Sequence, residues 1–500
     1  MRKIILYILL AFFAVGATSC LDKIPEDFVP TDKAISTVEE ADQAVIGIYS
    51  SFLNGALYSG NLTLLPDIQS DLLYAVNGYS NIYGNFWRWN ILATSPEIEA
   101  VYGGLYQVIT RCNFLLDNIE EVSKKVYDDE DYDKLDQYSG EAYFARALAY
   151  SELIKLFCKA YDPKTASEEL GVVLISHYDG DEPITRSSLL DSYQFVLNDL
   201  DKAEEHLRLE DDFKGQLWGS VAFNEYTVYA LRARVALYMQ DWEAAKKYSS
   251  KVIDSGYYQL ANAKRKVNAN MNEYQYMWAN DQSYEIIWKI GFTINNYGGS
   301  LGRIFFNYDY QNFKPDYVPA SWVLKSYDMD DLRYPAFFVE FTTGYAHGLT
   351  WPLLAKYFGN EQFASERILH TTMPKVFRLS EQYLIRAEAC AELRNYSQAS
   401  KDLTTLHKAR YAKDSQVSVN DNNWRETIEL ERVKELYLEG FRLQDLKRWH
   451  KGFKRTPQLQ TLTNGNSLSI EADDPLFVWP IPQNELGLPG TDIKPNESNK

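Results

Sequence analysis

A chain of 500 residues can bury a large core, and its 46% hydrophobic and 24% charged residues exclude a disordered polymer over most of the length. The 69 acidic residues outnumber 51 basic ones, and the resulting charge of −18 repels phosphate backbones and excludes nucleic acid as the expected partner. Aromatics are abundant, with 37 Tyr, 24 Phe and 11 Trp, and such rigid amphipathic rings serve helix interfaces and binding surfaces alike.

Arg2 and Lys3 precede an uncharged apolar run, 4–15, that is too short to span a bilayer, and Gly16, Ala17, Thr18 and Ser19 then lead to Cys20. This pattern predicts a lipoprotein signal peptide over 1–19, with Cys20 as the lipid-bearing N-terminus of the mature chain. Ala17 departs from the Leu found at many such sites, and an ordinary signal peptide cut near Ser19 is the alternative. Residues 20–35, with Pro25 and Pro30, read as an extended lipidated tether. After Val15 no run is apolar enough to cross a membrane, so the mature protein is expected to be anchored and not to span.

Ser36 to Glu39 forms a predicted capping box that opens a first helix at about 36–55, with Ala41, Ala44, Val45, Ile48, Tyr49 and Phe52 at helical spacing. Ser95-Pro96-Glu97 opens a second at about 95–122, whose apolar face carries Val101, Leu105, Val108, Ile109, Cys112, Leu116 and Ile119. Further helices are predicted at about 139–160, 190–208, 222–255, 378–411 and 425–450. Residues 56–94 and 256–375 lack helical period and are rich in Tyr, Trp, Asn and Gly. They read as loop-rich insertions on a rigid scaffold, where function is expected to sit.

Two helical segments repeat one another. Without gaps, Ala233 meets Ala387, Trp242 meets Tyr396, and Ala245 meets Ala399. Small residues, a short polar turn, then an aromatic and another Ala are the pattern of a tetratricopeptide helix pair. EAYFARALAY at 141–150 is a weaker third copy. The copies are far apart, so the fold class is mainly α, with helix pairs carrying long insertions.

Sites of chemistry find little support. Glu431, Arg432, Glu435, Glu439, Arg442, Asp445 and Arg448 are spaced to stabilise helices and tie them to neighbours, more than to form a catalytic carboxylate pair. Gly298-Gly299-Ser300-Leu301-Gly302 matches GxSxG, with His347 and His370 downstream, but no apolar strand precedes it and no capped helix follows. A flexible glycine loop is expected there, with a serine hydrolase using Ser300 as the remote alternative. His177, His206, His347, His370, His407 and His450 are scattered, so no metal site and no cofactor are expected. Asp129, Asp131 and Asp133 alternate like a calcium loop, but Lys134 replaces the Gly of the sharp turn, and a solvated acidic loop is expected. Cys112, Cys158 and Cys390 are read as small buried apolar residues.

Several segments, in order, resemble the SusD/RagB family of outer-membrane nutrient-binding lipoproteins of Bacteroidota. They are VEEADQAVIGIYSSF at 38–52, LYQVITRCNFLLDNI at 105–119, EAYFARALAYSELIKLF at 141–157, PITRSSLLDSYQFVLNDLDKAEEHL at 183–207, RLSEQYLIRAEACAEL at 378–393, ERVKELYLEGFRLQDLKRW at 431–449 and PIPQNEL at 480–486. The resemblance implies one SusD-like domain over 36–500: tetratricopeptide-like helix pairs against an irregular ligand-binding half. It also implies a place on the outer face of the outer membrane, and a partner, a SusC-like TonB-dependent transporter barrel, to which glycan, or peptide in some members, is delivered. It does not imply an enzyme.

Sugar rings offer C–H faces to aromatic rings and hydroxyls to Asn, Arg or Asp. The segment 79–90 is dense in both, and the resemblance puts a binding-loop Trp just before the Ser95 helix. The expected ligand contacts are therefore Trp87, Trp89, Asn90, Tyr83 and Asn81. Tyr297, Tyr308 and Trp322, with Tyr310 beside them, are expected to face these from the second insertion. The alternatives are a peptide-binding lid in the same kind of complex and a purely structural lid.

Overall fold

Apolar residues recurring every three to four positions dictate a frame of long helices in the computed structural model, which describes residues 35–178, 184–208, 221–456, 461–462 and 468–499. The predicted signal peptide, Cys20 and nearly all of the tether lie outside the described residues. Helix α1 (Val38–Ser51) starts one residue later than the predicted box. Thr37 accepts from the Glu40 amide, and the Glu40 carboxylate accepts from the Thr37 amide. Then come α2 (Asn61–Gln69), β1 (Leu73–Val76), α3 (Pro96–Ser123) and α4 (Asp129–Phe157). The start of α4 lies ten residues before the predicted 139. Asp128 caps it, and Asp129, Glu130 and Asp131 in its first turn complement the helix dipole. The calcium-like string thus opens a helix, not a loop.

The chain continues through the hairpin of β2 (Leu170–Val173) and β3 (Arg186–Ser188) to α5 (Leu189–His206), then α6 (Glu225–Tyr238) and α7 (Trp242–Asp254). The second insertion holds α8 (Glu273–Asn280), β4 (Ile286–Lys289), β5 (Tyr317–Pro319), β6 (Phe338–Thr342), β7 (Thr350–Leu354) and β8 (Lys375–Arg378). The frame closes with α9 (Leu379–Glu392), α10 (Tyr396–Arg410), α11 (Trp424–Glu435) and α12 (Arg442–Arg448), followed by β9 (Phe453–Arg455), β10 (Thr461–Leu462) and β11 (Leu468–Ile470).

The two repeated segments are each a helix pair, α6–α7 and α9–α10. Their turns agree in backbone as well as in residue type. Gln240 and Arg394 are both left-handed, at φ 59° and 60°, and the next residues, Asp241 and Asn395, cap α7 and α10 through the amides of Ala244 and Gln398. The pairs pack on each other through Ala233, Ala236, Ala245 and Ala389, whose missing side chains let helix axes approach closely. Cys112, Cys158 and Cys390 are buried free thiols inside the frame, as expected.

Buried ion pairs lock this frame to the insertion. Arg378, at the end of β8, reaches Glu285 at 2.7 Å, Glu435 at 3.0 Å and Glu439 at 2.8 Å, and Arg410 reaches Glu285 and Glu435. Arg333 adds Glu431 and Glu435. The charged run at 431–448 is therefore framework.

In the irregular half β1 pairs antiparallel with β5 on one side, Ala75 opposite Tyr317, and with β10 on the other. Hairpin β6–β7 pairs Phe338 with Leu354. Past Val76 the chain enters 77–95, and Asp316 brings 303–316 to the same end of the β1–β5 pair. One apolar cluster, including Phe52, Phe223, Trp288 and Phe377, runs under both halves. Among the described residues no helix is long and apolar enough to cross a membrane.

Candidate functional site

The end of β1 fixes where the first insertion emerges, and the backbone there is strained. Asn81, Tyr83 and Trp89 are left-handed, at φ 65°, 54° and 57°. For Tyr and Trp this costs about 1–2 kcal/mol each. Arg88 lies across the loop and holds it. Its guanidinium donates to the Tyr79 hydroxyl and the Asn81 side-chain oxygen, each at 2.7 Å, and to Asn85 at 3.3 Å. A Cβ at Gly84 would stand 2.7 Å from Arg88 Nη1 and 2.2 Å from Asn81 Oδ1, so only glycine lets Arg88 lie this close.

Opposite this loop stands 300–313. Asp316 joins the two: one carboxylate oxygen accepts from the Ser80 amide at 2.7 Å, the other from the Asn307 side chain. Tyr317 packs edge-on against Tyr79 and donates to the Ile82 carbonyl at 2.6 Å. An open cleft of about 370 Å³ is lined by Ser300, Arg303, Asn307, Tyr308, Leu369 and His370. His370 donates from Nδ1 to the Phe358 carbonyl at 3.0 Å, stacks on Phe306, and is kept neutral as burial lowers its pKa.

The expected contacts separate into three groups. Trp87 and Trp89, at 3% and 8% exposure, are interior. This corrects the expectation that they stack on ligand. Trp87 lies in the main apolar cluster with the Arg455 guanidinium 4.5 Å from its ring centroid. Trp89 is wedged against Phe453 and Phe477 and donates to the Gln69 carbonyl at 2.6 Å. Asn81, Tyr83 and Asn90 do border solvent. Asn90 is exposed, while Tyr83 is half-buried and donates to Asn61 at 3.0 Å. In the second insertion Tyr297 is 42% exposed beside Phe363, and half-buried Tyr308 stacks on Phe313 at 4.8 Å next to Tyr310, which is 65% exposed. Trp322, 36% exposed, lies past the opposite end of the β1–β5 pair, bonded to the Asp71 carbonyl, so it does not face the other rings as expected.

The expectation from sequence overlooks Arg303, Asn307 and His370 in the cleft and Arg88 in the loop. The Asn/Tyr density at 307–312 is a signal that favours the first two; His370 has no local signal. The GxSxG string lies at the cleft edge, but Ser300 bonds the Thr371 hydroxyl at 2.7 Å and no histidine, and His347 is bonded to the Asn77 carbonyl. The strand-to-helix elbow that a hydrolase nucleophile needs is absent at this position: a turn leads into four helical residues, Arg303–Phe306. Among the described residues no group of His, Cys, Asp or Glu could hold a metal ion. What the surface can do is stack rings and bond polar edges.

Two family profiles match the sequence. One, described as the SusD family, covers residues 342–490; the other, described as starch-binding associating with outer membrane, covers 20–237. SusD-like protein P25 of Formosa agariphila is 23% identical over 510 residues, covering 90% of each chain. A SusD superfamily protein from Bacteroides thetaiotaomicron is 25% identical with a TM-score of 0.78, over 92% of this chain and 99% of that one. A SusD-like carbohydrate binding protein from Bacteroides vulgatus superposes with a TM-score of 0.71 at 20% identity, over 90% and 96%. With the mainly helical fold these solved structures share, the matches identify the chain as a member of the SusD/RagB family.

Proposed function

We propose that this chain binds glycan at the cell surface, held to the outer membrane through a lipid on Cys20, and delivers it to a SusC-like TonB-dependent barrel. It acts by capture and release, without catalysis. The observation that carries the reading is the cleft itself, whose wall holds half-buried Tyr308, with exposed Tyr310 beside it, together with Asn307 and Arg303. Rings beside planar polar groups match the C–H faces and hydroxyl edges of sugars. The family description and the carbohydrate binding named for one structural relative support the same class of ligand. Each stacking contact contributes about 0.5–1.5 kcal/mol, so short sugars bind weakly and longer chains gain by repeated contacts.

Affinity electrophoresis in polysaccharide-containing gels tests this. Replacing Tyr308 and Tyr310 together by Ala is expected to weaken retardation about tenfold, as the loss of two such contacts requires, with the folded state retained in circular dichroism. Retardation equal to that of the unaltered protein would discard the site.

A further inference from the structure

Ten arginines are buried among the described residues, and nine pair with a carboxylate: Arg146, Arg232, Arg234, Arg333, Arg378, Arg386, Arg410, Arg432 and Arg442. The exception is Arg455, which lies directly under the candidate site. It donates from Nη2 to the Trp87 carbonyl, and among the described residues its Nε and Nη1 have no hydrogen-bond partner. The carboxylate that favours its ionisation, Asp71, is already held by both arms of Arg442, so burial of the Arg455 charge stays costly.

The guanidiniums above it are also without carboxylates. Arg88 bonds only neutral oxygens, those of Tyr79, Asn81 and Asn85. The side chain of Arg303, exposed at the cleft wall, has no hydrogen-bond or ion-pair partner among the described residues. Asp316 and Asp309 border the same surface, each held by neutral amide donors that leave its charge in place. Asp316 is held by Ser80 and Asn307, and Asp309 accepts from the amides of Gln311 and Asn312. Among the residues that line the cleft, Arg303 carries the formal charge, a side-chain cation without a partner among the described residues, in a chain of net charge −18.

We infer that the cleft takes an acidic sugar. The Arg303 fork closes on a carboxylate or sulfate of the glycan, while Arg88 and the buried Arg455 strengthen the same attraction from the loop and from beneath it. This rests on the glycan-binding reading above and adds the charge of the ligand to it.

The test uses full-length protein in detergent and an array of uronate-bearing and sulfated oligosaccharides, each printed beside its carboxyl-reduced or desulfated counterpart. Retention of acidic members over their neutral counterparts is expected, with affinity dropping about tenfold between ~50 and ~500 mM NaCl. Which set is retained tells carboxylate from sulfate. R303Q is expected to lose about tenfold toward the acidic member alone, and R303K to recover part of it, because lysine restores charge without the fork. Equal retention of both members of each pair, or an R303Q loss that is the same for both, overturns the acid preference and leaves glycan binding standing. Retention of no glycan in any pair overturns both readings.

Discussion

An indole buries some 150–250 Å², and Trp87 and Trp89 give nearly all of it to the interior. Their contribution is therefore to stability. Trp87→Ala and Trp89→Ala are each expected to lower the unfolding free energy by about 3–5 kcal/mol, read as a drop in urea midpoint. A loss under about 1 kcal/mol for either would show that its ring is not core. Tyr310 is the contrasting case, since truncating its exposed ring removes little packing. Asn81, Tyr83, Tyr297, Tyr308 and Asn90 were legible as residues that border solvent because a polar, aromatic, aperiodic stretch reads as exposed loop. Which of its rings turn inward was not, because Phe453, Arg455 and Phe477, which cover the two tryptophans, lie more than 360 positions away along the chain.

At the scale of elements, the paired helices depend on small residues where they touch. Ala389 is fully buried in one cluster with Ala233 and Ala245. Ala389→Leu is expected to cost about 1–3 kcal/mol by overpacking, measured by thermal unfolding, while the same change at exposed Ala100 on α3 leaves the melting temperature in place. The repeat was legible down to its turn, because a cap, an aromatic and spaced alanines are local features. The start of α4 was missed because 129–138 lacks an apolar stripe and is held by capping and dipole complementarity instead. Helix α2 was missed for the converse reason: almost every one of its residues is buried, so it has no polar face to reveal a period.

Across the whole molecule, the buried charges of α11 and α12 join the helical frame to the insertion that carries the cleft. Burial opposes ionisation of Glu435, but Arg410 and Arg378 outweigh it and hold the carboxyl well below the ordinary range. Glu431 and Glu439 are lowered in the same way, against burial, chiefly by Arg333 and Arg378 respectively. A folded pKa below the unfolded value gives stability that is present above about 4.5 and is lost as pH falls through the depressed folded values. Glu435→Gln is expected to destabilise by about 3–5 kcal/mol at neutral pH, because three arginines lose a buried partner. The gap between the variant and the unaltered protein is expected to narrow when urea denaturation is repeated near pH ~3.5. A gap independent of pH would show that Glu435 acts by packing and not by charge.

The amino-acid order by itself determined the helical frame, the repeated pairs, the expectation of an export signal and the aperiodic, aromatic-rich insertions, since spacing, capping and composition act over neighbouring residues. Tertiary structure alone decided which aromatic rings meet solvent and which arginines lack a carboxylate. Exposure and charge pairing are set by segments that the chain brings together from hundreds of residues apart, and no local pattern records that encounter.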